Sequence, residues 1–115
     1  MTLAILGGGQ LARMLAQAAA ALGQRCRVLD PSPDAVAGHV AEHVLGAFDD
    51  PAALRQLTRG ARVVTFEFEN VPAATTEALL GDAVVRPHPR ALAVGQDRVA
   101  EKELFRRLGM KVPEF

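Results

Sequence analysis

Three glycines followed by an amide, Gly7-Gly8-Gly9-Gln10, and two carboxylates two residues apart, Glu67 and Glu69, are the groups in this chain best suited to chemistry. Lacking Cβ atoms, the glycines allow a tight turn whose backbone N–H groups approach an anion closely. The helical pattern that begins at Gln10 adds unpaired N–H groups and the positive end of a helix dipole. Gly8 and Gly9 are therefore candidate ligands for a phosphate or carboxylate at the end of a first strand. Two acids at a strand end are unusual unless something pairs with them. Strand alternation predicts Glu67 and Glu69 on one face, with Phe66 and Phe68 turned to the core on the other. Spacing alone gives neither acid a general-base role.

The glycines do not choose the ligand. Gly7-x-Gly9-x-x-Ala12 fits the dinucleotide fingerprint in its Ala-ending form, and Asp30 closes a second apolar run at a suitable distance. A phosphorylated substrate fits the same turn, and a glycine-rich turn with no ligand is the plain alternative. Asp30 likewise has two readings. It is either a ribose-binding acid or the residue that fixes the turn Pro31-Ser32-Pro33, whose prolines forbid a continuing strand. Glu67 and Glu69 would crowd a pyrophosphate with like charge, which weighs against the dinucleotide.

The elements that must hold these groups alternate along the chain. Strands are expected at Thr2 to Leu6, Arg25 to Leu29, His43 to Leu45, Arg62 to Phe66 and Ala83 to Val85. Helices are expected at Gln10 to Leu22, ended by Gly23, and at Pro51 to about Arg59, capped by Asp49 or Asp50. Further helical stretches fall at Asp34 to Gly38, Pro72 to Leu80, Pro89 to Val94 and Asp97 to Leu108. Strands separated by helices imply an α/β fold with a doubly wound, mainly parallel sheet and right-handed crossovers. The order 3-2-1-4-5 is expected, with the ligand crevice between the ends of strands one and four.

Composition narrows the class. The 115 residues suffice for one core, and half are hydrophobic while 23% are charged, as in a folded globular chain. Thirteen basic residues balance thirteen acidic ones, giving no reason to expect nucleic acid or a membrane surface as partner. The single cysteine, Cys26, lies in the apolar run Cys26-Arg27-Val28-Leu29 and reads as a buried structural thiol. No secretory signal is evident, so the cytoplasm is the expected compartment. His39 and His43 are four apart, but Gly38 and Pro33 break the helix that would align them, and zinc is not expected. No Ser–His–Asp arrangement suggests a hydrolase. The extended segment Met110 to Phe115 after Gly109 reads as a link toward a further domain.

Four ordered segments resemble one family. They are Gly7-Gly8-Gly9-Gln10-Leu11-Ala12-Arg13-Met14, Leu29-Asp30-Pro31-Ser32-Pro33-Asp34, Thr65-Phe66-Glu67-Phe68-Glu69-Asn70-Val71-Pro72 and Gln96-Asp97-Arg98-Val99-Ala100-Glu101-Lys102. Together they are similar to the 5-(carboxyamino)imidazole ribonucleotide synthetases of purine biosynthesis, which are ATP-grasp ligases. The likeness covers nearly the whole chain. One departure is Ala12, where the family usually has glycine. The resemblance implies a Rossmann-like pre-ATP-grasp domain over residues 1–95, with residues 96–115 leading toward an ATP-grasp domain. It also implies an enzyme that uses Mg-ATP and bicarbonate to carboxylate the exocyclic amine of 5-aminoimidazole ribonucleotide. Most ATP ligands and the metal carboxylates are then expected beyond residue 115, so this segment alone is not expected to be active.

By the same resemblance, Gln10 and Leu11 contact the ribonucleotide through backbone N–H groups and the Gln10 amide. An amide donates to a phosphate or ribose without the repulsion of a carboxylate. Glu67 matches a ligand of the ribonucleotide's hydroxyls or amine, with Glu69 as helper or turn cap. Arg98 matches an arginine on the ATP phosphates, whereas Lys102 reads as a solvated charge. Arg13, one turn into the helix, has a phosphate contact and a solvated face as open alternatives. The resemblance favours the turn-fixing reading of Asp30, and it implies a homodimer to which this domain contributes.

Overall fold

A computed structural model describes residues Met1–Phe115. Its centre is a five-stranded parallel sheet in the order β3-β2-β1-β4-β5. The strands are β1 (Thr2–Leu6), β2 (Arg25–Asp30), β3 (Glu42–Leu45), β4 (Ala61–Phe66) and β5 (Val84–Val85). The helices are α1 (Gln10–Ala21), α2 (Pro51–Thr58), α3 (Ala73–Ala78), α4 (Pro89–Gln96) and α5 (Arg98–Arg107), with single 3₁₀ turns at Val36–His39 and Leu79–Gly81. The expected strand order and helix alternation are borne out, and most element boundaries move by only one or two residues. The third strand starts one residue early, and the expected helix from Pro72 to Leu80 finishes as a 3₁₀ turn.

The central strands are apolar on both faces because both faces are covered. Ala4, Leu6, Leu29, Val64 and Val85 share one cluster with Ala53 and Leu57 of α2 and with Leu79 and Leu92. The alternate residues Ile5 and Val28 face the other way, toward Ala12 of α1 and Ala37. Ala12, Ala16 and Ala19 recur at helical spacing and are all buried, so small side chains line the face of α1 that meets the sheet. Ala12 is fully buried against Ile5, Val28 and Ala37.

Local chemistry explains the element ends. Pro51 opens α2 and the Asp50 carboxylate accepts the Ala52 N–H at 3.0 Å, which selects Asp50 over Asp49 as the cap. Gly23 follows α1 at φ +73°, a left-handed conformation that glycine adopts without penalty. At the opposite end of α2, the nearly buried Arg27 donates from Nη1 to the carbonyls of Leu57 and Arg59 at 3.1 and 2.7 Å. Its Nε pairs with Glu42 at 2.9 Å. One guanidinium thus satisfies orphan carbonyls at a helix end and joins β2 to β3.

Beyond α5 the chain carries no regular element, and the Phe115 ring centroid lies 5.1 Å from Lys102 Nζ and 4.5 Å from the Arg106 guanidinium, at cation–π distance.

Candidate functional site

Parallel register brings the singled-out segments to one rim. Leu6 pairs with Leu29 on one side and Phe66 on the other, so the residues after all three leave the sheet together. The ladder continues one step further: Gly7 N–H donates to the Leu29 carbonyl at 2.8 Å and Glu67 N–H to the Leu6 carbonyl at 3.2 Å. Gly7 turns the chain at φ +106°, where a Cβ would lie 2.5 Å from Glu67 Cγ. Glycine is required there on both counts.

The Glu67 carboxylate then faces the start of α1. Oε1 accepts the Gly9 N–H at 2.8 Å and Oε2 accepts the Ala12 N–H at 2.7 Å. A negative charge at a helix N-terminus is favoured both by these two N–H bonds and by the dipole. Asp30 holds the neighbouring amide: Oδ2 accepts the Gly8 N–H at 2.9 Å while Oδ1 accepts the Ser32 N–H at 2.8 Å. Two of the protein's own acids therefore occupy the amides of Gly8, Gly9 and Ala12. The Gly8 and Gly9 N–H groups, expected to meet an external anion, are committed to these carboxylates, whereas the N–H groups of Gln10 and Leu11 have no partner in the chain.

This arrangement separates the two open readings. A pyrophosphate seated on the glycine turn would have to displace a carboxylate of its own sign, and Asp30 has both oxygens engaged instead of facing a ribose. Asp30 fixes the proline turn.

Glu67 and Glu69 do not follow strand alternation, because β4 ends at Phe66 and the chain bends from residue 67 onward. Glu67 is half-buried and engaged; Glu69 is exposed and its carboxylate has no partner. Both border a cleft of about 270 Å³ whose far wall includes Ala91 and Gly95 of α4. Glu67 also borders a second cleft, of about 400 Å³, together with Leu11 and Met14. Phe66 and Phe68 both pack on the larger core cluster, and Phe68 meets Phe48 edge-on at 5.9 Å.

The remaining expected residues lie apart from this rim or face solvent. Gln10 is exposed at the first position of α1. Arg98 opens α5 with its side chain 76% exposed, paired with Glu101 at 2.9 Å. Arg13 is half-buried, and its Nε lacks a partner. Cys26 is partly buried, and desolvation pushes its thiol pKa up. No three His, Cys, Asp or Glu side chains converge as a metal site.

Sequence reasoning missed Arg27 and Gln96. Arg27 sits in an apolar strand run, a place where an arginine signals internal pairing. The Gln96 side-chain amide donates to the Glu69 carbonyl at 2.6 Å and to the Val71 carbonyl, and nothing local in the sequence marks it.

The sequence model of a family described as the ribonucleotide synthetase preATP-grasp domain matches residues 1–96. This chain belongs to that family. The chain is 44% identical over 115 residues to the N5-carboxyaminoimidazole ribonucleotide synthase of Pseudomonas aeruginosa, covering 100% of this chain and 32% of that protein. It is 46% identical over 114 residues to the Mycobacterium bovis protein of the same name, covering 97% and 27% respectively. Among solved structures, the N5-carboxyaminoimidazole ribonucleotide synthetase of Thermus thermophilus superposes with a TM-score of 0.93 at 50% identity, over 98% of this chain and 31% of that one. The Aspergillus clavatus synthase, solved in complex with ADP and 5-aminoimidazole ribonucleotide, gives 0.87 at 33% identity over 98% and 31%. The chain thus spans about a third of the length of the relatives it matches.

Proposed function

We propose that this pre-ATP-grasp domain forms part of the ribonucleotide site of an ATP-dependent ligase. The enzyme carboxylates 5-aminoimidazole ribonucleotide with bicarbonate in purine biosynthesis. The observation that carries the reading is the Glu67 carboxylate at the β4 rim, pinned by the Gly9 and Ala12 N–H groups and shared by two clefts. Its relatives bear the name of that synthase, and one was solved with the aminoimidazole ribonucleotide and ADP.

In this reading Glu67, oriented before the ligand arrives, accepts hydrogen bonds from the ribonucleotide's hydroxyls or amine through its remaining lone pairs. Gln10 donates through its side-chain amide, and the free N–H groups of Gln10 and Leu11 offer further donors beside it. Gly8 and Gly9 contribute by close backbone approach, their own N–H groups being used to hold the turn. Arg98, whose guanidinium projects from the start of α5, contacts the ATP phosphates. Residues 1–95 are the substrate-binding domain, and 96–115 lead toward an ATP-grasp domain. Magnesium and most of the ATP are held by that ATP-grasp domain. The enzyme is read as a cytoplasmic homodimer acting on small molecules; no helix here is long and apolar enough to cross a membrane.

The test is turnover by the full-length protein. ADP release should require both bicarbonate and 5-aminoimidazole ribonucleotide for a carboxylated product to form. Failure to bind or consume the ribonucleotide would defeat the reading.

A further inference from the structure

We infer that Gln96 is a positioning residue for the acidic rim, acting through the main chain of Glu69 and Val71. The inference rests on the ribonucleotide reading above.

The turn after β4 carries both rim carboxylates, yet the two are held differently. Glu67 is fixed by the Gly9 and Ala12 N–H groups. Glu69 is exposed, and neither a hydrogen bond nor an ion pair restrains its carboxylate. Just beyond it the chain must reach Val71, which is fully buried. Side chains thus anchor the span at Phe68, which packs on the core, and at Val71, and leave the exposed Glu69 and Asn70 unanchored.

Gln96 supplies the restraint between them. Its Nε2 donates to the Glu69 carbonyl at 2.6 Å and also to the Val71 carbonyl. Both partners are acceptors, so only the NH₂ end of the amide can face them, and its two hydrogens match the two carbonyls. Gln96 is the last residue of α4, one position after Gly95, which forms part of the cleft wall facing Glu67 and Glu69. The amide therefore holds the two walls of that cleft in one relation. The following helix does not depend on it: Asp97 Oδ1 caps α5 by accepting the Val99 and Ala100 N–H groups at 2.9 and 3.1 Å. Losing the Gln96 donors should therefore disturb the rim and leave the start of α5, with Arg98, in place.

The experiment compares Gln96→Met, which keeps length and removes both donors, with Gln96→Lys, whose ammonium can donate to both carbonyls. Full-length protein is assayed with each substrate varied in turn, and amide hydrogen exchange is followed over residues 67–71. For Gln96→Met we expect the ribonucleotide KM to rise roughly three- to tenfold, with the ATP KM within about twofold and exchange faster at residues 69–71. Gln96→Lys should recover most of the loss. An unchanged ribonucleotide KM in Gln96→Met, or a parallel rise in both KM values, would overturn the inference. A wild-type protein that does not use the ribonucleotide would instead defeat the functional reading itself.

Discussion

Glu67 and Ala12 lie 55 residues apart in sequence and meet at 2.7 Å, carboxylate to backbone N–H. That bond, with its companion to Gly9, fastens the end of β4 to the start of α1. A helix start that is often left open to a ligand's phosphate is here closed by an internal anion. The consequence for specificity is direct. In the proposed reading the ligand's donors meet Glu67 as an acceptor, and the only helix-start N–H groups left for it are those of Gln10 and Leu11, not the glycine amides.

Dinucleotides should therefore not bind. NADH titrated into the protein and followed by fluorescence is expected to show no saturable binding at sub-millimolar concentration. Tight stoichiometric binding would mean that Glu67 and Asp30 leave their amides when a pyrophosphate arrives.

Gly7→Ala should be strongly destabilising. The position combines a φ of +106° with a Cβ only 2.5 Å from Glu67 Cγ, so the backbone or the Glu67 pin must give way. A loss of roughly 2 kcal/mol or more is expected in denaturant unfolding, strain and the lost hydrogen bonds together. Unfolding midpoints equal to wild type would show that the turn is more yielding than its geometry indicates.

Arg27 and Glu42 form one ion pair with unequal consequences. Arg27→Ala leaves the carbonyls at the end of α2 without their partner and should cost about 2–3 kcal/mol. Glu42 is half exposed, at 51%, so Glu42→Ala should cost less than about 1 kcal/mol. Equal losses in chemical denaturation would place the stabilisation in the ion pair instead of the helix cap.

Cys26 should be a slow thiol. Burial raises its pKa, which lowers the thiolate fraction near neutral pH, and the thiolate is the reactive form. Alkylation by iodoacetamide at pH 7.5 is expected to be slower in the folded protein than in denaturant, with the difference narrowing as pH rises. Equal rates in both states would show that the thiol is open to solvent.

Much of this fold is legible in sequence because its signals are local. Apolar runs ended by Gly or Pro mark the strands, and Pro51 after Asp50 marks a helix start. With alternating elements, crossover handedness and topology supply the order 3-2-1-4-5. The site is legible as a set of segments, since Leu6, Leu29 and Phe66 must end at one rim once the order is known. Its hydrogen bonding is not. Strand alternation predicts one shared face for Glu67 and Glu69, but the strand stops at Phe66, and the bend releases residue 67 toward the glycine turn. The Gln96 contact spans 27 residues to Glu69 and depends on how α4 packs, which no local pattern encodes. Arg27 is visible in sequence only as an oddity in an apolar strand. The helix carbonyls it serves, around residue 57, appear once α2 is laid on the sheet.

Glu67→Gln in the full-length protein tests the central assignment most directly. The change keeps shape and one acceptor oxygen while removing the charge that the ribonucleotide's donors should meet. Binding of 5-aminoimidazole ribonucleotide and of ATP is measured separately by calorimetry, with a thermal melt to confirm folding. Loss of a charged hydrogen-bond acceptor costs about 1.5–3 kcal/mol, so ribonucleotide affinity should fall roughly ten- to a hundredfold. ATP affinity should stay within about twofold, because the change leaves Arg98, the proposed phosphate partner, and its helix untouched. A folded Glu67→Gln protein that binds the ribonucleotide as tightly as wild type would contradict the account, leaving Glu67 as a pin for the glycine turn alone.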